Sequence, residues 1–171
     1  VASRGLGDVY KRQDLKNKRV FISGGGSGIG ATIVKYFCEQ KSEVYFIDID
    51  IKSSNKLIKK IKKKGLRVPK FIECNILDVK KLQNIIKDII SKKGAIHCLI
   101  NSAANDDRHT TEQVDEKYWE NRMGINLKHY FFAAQAVVKG MKKIKSGSIV
   151  NLSSVSWAVS YTHLTLPTIC S

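Results

Sequence analysis

The stretch Arg19-Val20-Phe21-Ile22-Ser23-Gly24-Gly25-Gly26-Ser27-Gly28-Ile29-Gly30 decides how the whole chain is read. Residues 19–23 are a short apolar run, the pattern of a buried strand. Residues 28–40 carry Ile29, Ile33, Val34 and Phe37 at helical spacing, which predicts one apolar face. Between strand and helix lies a turn almost without side chains. Its backbone can bend tightly and approach a pyrophosphate, and the helix behind it offers free N–H groups at the positive end of its dipole. Gly30 also lets the helix sit close to the sheet. A glycine-rich turn alone is common; the strand before it and the helix after it are the context that points to nucleotide binding. The candidate residues here are Ser23, Gly24, Ser27, Gly28, Ile29 and Gly30.

Outward from this turn the same alternation continues. Strands are expected at 43–47, 70–74, 98–102 and 148–152. Helices are expected at 53–64, at 79–93 with a stripe of Leu82, Ile85, Ile86, Ile89 and Ile90, and as one long element over about 118–144. Strand–helix alternation at this spacing implies right-handed crossovers and a parallel sheet covered on both faces. The fold class is therefore α/β, a Rossmann-type doubly wound parallel sheet with five strands, and its ligands are expected at the carboxyl ends of the strands. Asp48 stands at the end of the second strand, about 20 residues past the glycines, where an acid accepts hydrogen bonds from the ribose hydroxyls of NAD. The 2′-phosphate of NADP would meet a like charge there. Asp50 lies farther past the strand end, and the competing reading of Asp48 is a helix-capping acid.

Composition limits the alternatives. The net charge of +15 over 171 residues comes mostly from Lys, concentrated in helical segments such as 52–64. With no interleaved stacking aromatics and no nucleic-acid motif, these lysines read as solvated helix faces rather than an RNA-binding surface. Cys38, Cys74, Cys98 and Cys170 form no CxxC pair, and the His spacing fits no zinc pattern, so no metal site is expected. No run approaches the roughly 18–20 apolar residues of a membrane span, and residues 1–13 lack a secretory signal pattern; a cytoplasmic location without membrane partners is expected. Both ends are out of character. Residues 1–13 show no clean periodicity, and in 159–171 the lysines have stopped and Thr is frequent. They resemble translated adapter sequence and are read as non-native extensions, which leaves 14–158 as a partial NAD-binding domain.

The ordered motifs resemble the short-chain dehydrogenase/reductase family. Ser23 to Gly30 is similar to that family's cofactor turn, with Ser23 where Thr is usual. Asn75-Ile76 matches a position where the family has Asp-Val beside the adenine. Asn101-Ser102-Ala103-Ala104 resembles its Asn-Asn-Ala-Gly segment, matching at Asn101 and Ala103. Asn126 matches the Asn of the catalytic tetrad, and residues 147–154 resemble the segment carrying the catalytic Ser, which aligns with Ser154; Ser153 is the close competitor.

A narrower likeness, to NAD-dependent sugar 1-dehydrogenases such as those acting on D-xylose, rests on residues 105–109, 118–119, 140–143 and 154–157. It implies hydride transfer from an aldose C1 hydroxyl to NAD, giving a lactone, with Asn105, Asp106, Arg108, His109 and Trp157 toward the sugar. Rival readings are a 3-oxoacyl carrier-protein reductase, against which Asp48 argues, and a protein that binds NAD without chemistry. The family also needs a Tyr and, four residues on, a Lys after the Ser. No Tyr-x-x-x-Lys follows Ser154. The 171-residue chain is therefore expected to be inactive and to lack the family's last strands. The fifth strand should be an open edge, and Phe131, Phe132, Ala133, Val137 and Val138 should line an uncovered apolar face. The full-length form is expected to be a homo-oligomer.

Overall fold

The computed structural model describes residues 13–107 and 109–153. Five parallel strands form one sheet: β1 (Arg19–Ser23), β2 (Glu43–Asp48), β3 (Lys70–Glu73), β4 (Cys98–Asn101) and β5 (Ser148–Asn151), in the order β3-β2-β1-β4-β5. The order reverses at β1, so β1 and β4 diverge toward opposite edges and leave a crevice at their carboxyl ends. The register pairs Ser23 with Ile47 on one side and with Asn101 on the other.

Alternation along the strands decides which layer each side chain joins. Val20, Ile22, Val44, Phe46 and Ile100 point to one face, where α1 (Gly28–Glu39) and α2 (Ile51–Lys63) cover them with Val34, Cys38 and Ile61. Phe21, Tyr45, Ile47 and Leu99 point to the other, against Leu82, Ile86 and Ile89 of α3 (Val79–Lys93) and Ala133, Val137 and Met141 of α5 (His129–Lys143). Each such aliphatic or aromatic side chain contributes about 1.5–3 kcal/mol by leaving water.

Four expectations need correction. In α1 the inward residues are Gly30, Val34 and Cys38, whereas Ile29 is 70% exposed; the first turn stands over the crevice, not over the sheet. Helix α2 begins at Ile51, two residues early, because the Asp50 carboxylate accepts from the Ser53 amide at 2.9 Å and caps it. The long helix is three segments. Helix α4 (Glu116–Met123) passes through a π-helical turn (Gly124–Lys128) into α5. Gly124 is buried there, and a Cβ on it would lie 2.7 Å from Leu77 Cδ2. Finally, Ala133 and Val137 are fully buried under α3 and so do not line an open face. Phe132 and Val138 are half-buried, and only Phe131 of that group stands out, 64% exposed. β5 pairs with β4 alone among the described residues, and all four of its residues are exposed.

Candidate functional site

A cavity of about 980 Å³ opens at the carboxyl ends of the strands. Its phosphate-side wall is the turn after β1. Gly24 takes φ +70°, and a side chain on it would come within 2.6 Å of the Ala103 Cα in the loop after β4. A Cβ on Gly30 would run into the Gly24 carbonyl. These two positions therefore require glycine for the turn to close. Gly24 and Gly25 amides donate to Ile47 O at 2.9 and 3.1 Å, which ties the turn to β2. In front of Gly28 there is open space, with no atom within 4 Å of a built Cβ. Ser27 precedes the helix with its hydroxyl making no cap bond. The first-turn N–H groups of α1, which have no intrahelical acceptors, face this space beside Ile29. The arrangement fits a diphosphate: bare backbone, a helix N-terminus and room.

Asp48 lines the same cavity. Its Oδ2 accepts from the Gly26 amide at 2.8 Å and its Oδ1 from the Asp50 amide at 2.9 Å. A carboxylate offers about four acceptor positions, so two remain for the hydroxyls of a ribose. Asp48 is not the helix cap; that is Asp50, whose carboxyl is held below its usual range by the Ser53 hydroxyl and amide. Asn75 and Ile76 lie along the cavity as well. Asn75 Oδ1 already accepts from the Leu77 amide at 3.0 Å, so one lone pair of that oxygen is left for a ligand.

Ala103, Asn105, Asp106 and Asn126 line the opposite end. The Asn126 side chain makes a two-way clasp on the Asn105 backbone, accepting from its amide at 2.8 Å and donating to its carbonyl at 2.9 Å. One N–H and one lone pair of that amide are thereby used in positioning the β4–α4 loop, and one of each is left for a ligand. This clasp sits in the π turn.

Three residues expected at the cofactor or substrate do not reach the cavity. Ser23 is fully buried, with its hydroxyl surrounded by protein groups: the amides of Ser102 and Ala103 at 3.2 and 3.3 Å, and His129 Nε2 at 3.3 Å. Asn101 is also fully buried and donates from Nδ2 to Asn151 Oδ1 at 2.8 Å, joining β4 to β5. His109 belongs to a cluster between the β4–α4 loop and α4. Its Nδ1 meets the Tyr118 hydroxyl at 2.6 Å, the Arg122 guanidinium lies 4.6 Å from the Tyr118 ring centroid, and Arg122 pairs with Asp107 at 2.8 Å. Hydrogen bonds from Arg122 and Asn105 hold the Asp107 carboxyl below the usual carboxylate range. Arg108, Ser154 and Trp157 lie outside the described residues.

Sequence reasoning missed several members. Tyr130 lines the cavity and donates from its hydroxyl to Leu152 O at 3.0 Å, which holds the segment leading to Ser153 against α5. Its signal was position: it follows Asn126 by four residues, one turn along the same helix face. Arg122, in the cluster with His109, carried no comparable signal, because its ion-pair partner Asp107 comes from a loop.

Comparison with known proteins agrees with this geometry. The family model described as short chain dehydrogenase matches residues 18–166. "Probable galactose dehydrogenase GalD" of Rhizobium meliloti is 38% identical over 84% of this chain and 56% of its own length. D-xylose 1-dehydrogenase of Caulobacter vibrioides is 38% identical over 89% of this chain and 59% of its own. Among solved structures, a gluconate 5-dehydrogenase from Burkholderia cenocepacia J2315 in complex with NADP and tartrate superposes with a TM-score of 0.74 at 25% identity, covering 86% of this chain and 58% of that one. The chain thus spans under three fifths of the length of these relatives. On the family match and on the cavity built by its own glycines, this chain belongs to the short-chain dehydrogenases.

Proposed function

We propose that this chain is the NAD-holding portion of a sugar dehydrogenase that oxidises an aldose C1 hydroxyl to the lactone. The observation that carries the cofactor half is Asp48: a carboxylate at the end of β2, lining the cavity and braced by two backbone amides. Ribose hydroxyls donate to such a group, while a 2′-phosphate brings a second negative charge against it. The sugar half is supported by the galactose and xylose dehydrogenase relatives. It is also supported by the polar groups of Asn105 and Asp106 at the nicotinamide end, since each sugar hydroxyl needs a paired donor or acceptor.

When bound, the nicotinamide supplies the hydride acceptor. The chain's own residues hold the diphosphate on the α1 amides, hold the adenosine ribose on Asp48 and, through the Asn126 clasp, fix the loop that faces the reacting carbon. Ser154 is the residue assigned to orient the sugar hydroxyl. A complete short-chain dehydrogenase also needs a base for the hydroxyl proton, the role of Tyr in Tyr-x-x-x-Lys. No such pair follows Ser154 in the 171 residues, so this chain alone binds cofactor without oxidising sugar. NADH appearing at 340 nm from galactose or xylose with this polypeptide would overturn that statement.

The cofactor assignment is tested by titrating NADH and NADPH into the protein and into Asp48→Ala, following nicotinamide fluorescence. The wild type should prefer NADH by at least about tenfold, the scale of one lost or repelled charged contact, roughly 1.4 kcal/mol. Asp48→Ala should lose most of that preference. Equal affinity for both coenzymes in the wild type would end the NAD reading.

Self-association of the full-length enzyme is part of the same proposal. Trp119, Met123, Leu127 and Phe131 recur every four residues along α4, the π turn and α5, and are between 38% and 64% exposed. A row of large apolar side chains of this kind is a surface that a partner subunit covers.

A further inference from the structure

We infer that His129, in its neutral form, positions the floor of the cofactor cavity through Ser23; the inference rests on the dinucleotide reading of that cavity.

The hydroxyl of Ser23 joins the two ends of this arrangement. It has one proton to give and two lone pairs to receive. The Ala103 amide points at it at 3.3 Å, and the Ser102 amide is shared between this hydroxyl and the Ser23 carbonyl, each at 3.2 Å. Both lone pairs are thereby taken, so the Ser23 proton is directed to its remaining partner, His129 Nε2 at 3.3 Å. Nε2 must then be an acceptor, which places the imidazole proton on Nδ1. Nδ1 is buried and has no hydrogen-bond partner among the described residues. Ser23 and His129 are both fully buried. The chain of groups runs from His129 through Ser23 to the amides of Ser102 and Ala103.

Its end point matters because of what it holds. Ser102 and Ala103 line the cavity, and Ala103 is the residue against which Gly24 packs too closely for any side chain. The β4 loop and the β1 turn are the two walls between which a dinucleotide would lie. His129 fixes the direction of the Ser23 hydroxyl, and with it the separation of those walls. Tyr130 is the titratable neighbour that touches the imidazole, edge to face with ring centroids 4.4 Å apart, and the other groups meeting it, Ser23 and the Ile125 carbonyl, are neutral. A cationic His129 would turn a second N–H toward a hydroxyl whose lone pairs are already used.

The test uses the full chain with Ser23→Ala, His129→Phe, the double variant and His129→Gln, whose side-chain oxygen restores an acceptor. In the cofactor-free protein, amide hydrogen exchange at Ser102 and Ala103 should quicken at least about tenfold in Ser23→Ala and in His129→Phe. The double variant should be no worse than either single one, the mark of groups acting in series, and His129→Gln should recover most of the protection. NADH affinity should follow the same pattern. Unchanged exchange at Ser102 and Ala103 in His129→Phe, or effects that simply add in the double variant, would overturn the inference. Exchange that follows the pattern in a protein binding neither NADH nor NADPH would instead leave His129 as the holder of the loop and sink the dinucleotide reading.

Discussion

His129 is the residue whose chemistry is most changed by its position. Burial pushes its imidazole down from the ordinary 6.5 to about 4, against a smaller opposing effect of the Ile125 carbonyl. The consequence for stability follows from proton linkage. Above about pH 6.5 both folded and unfolded forms carry a neutral ring, and the contribution is fully present. As the pH falls from there toward 4, the unfolded chain takes up a proton that the folded one refuses, so stability is lost with acidification and the loss levels off below the folded value. Two and a half pH units correspond to about 3 kcal/mol in all, of which about 2 kcal/mol should be gone by pH 5. Urea denaturation at pH 7.5 and pH 5, compared between wild type and His129→Gln, isolates this share. The variant should be less acid-sensitive by about that amount, and equal sensitivity of the two proteins would show that His129 is not neutral in the fold.

Elements bounded by local signals were legible in the sequence. Helix α3 begins and ends where its pattern predicts, because Asp78 caps its first turn by accepting from Lys81 N at 2.9 Å and Gly94 closes it at φ +90°. β1 and the glycine turn were legible for the same reason. The break in the long helix was not, because the contacts made there are not local: Asn126 clasps the backbone of Asn105, 21 residues earlier. Ser23 and Asn101 were assigned to the ligand from motif position, yet the sheet buries both, and a motif does not reveal which side of a strand end a side chain takes. Asn126→Ala tests the clasp. Two hydrogen bonds to a loop backbone are lost, at about 1 kcal/mol each. The amides of residues 105–107 and 124–128 should exchange faster, while α3 and the β1–β2 pair keep their protection. A uniform loss of protection across the molecule would mean that Asn126 supports global stability rather than this loop.

At the scale of the whole molecule, two tendencies oppose each other. The chain carries a net charge of +15, which repels copies of itself at low ionic strength. It also presents Trp119, Met123, Leu127 and Phe131 along one helical element, which favours association by apolar burial. Salt separates the two. Raising it from about 20 to 500 mM shortens the Debye length from roughly 20 to 4 Å and removes the repulsion, leaving the apolar attraction. Sedimentation velocity should therefore show mass rising with salt for the wild type. Phe131→Asp should hold the protein monomeric throughout, since burying that carboxylate costs several kcal/mol. The opposite salt dependence, with species that grow at low salt and dissolve at high salt, is the signature of polyanion-bridged assemblies held by the lysines. Added nuclease distinguishes that case. If the low-salt species disappear on digestion, the charge serves a nucleic acid and the helical row is not a subunit contact.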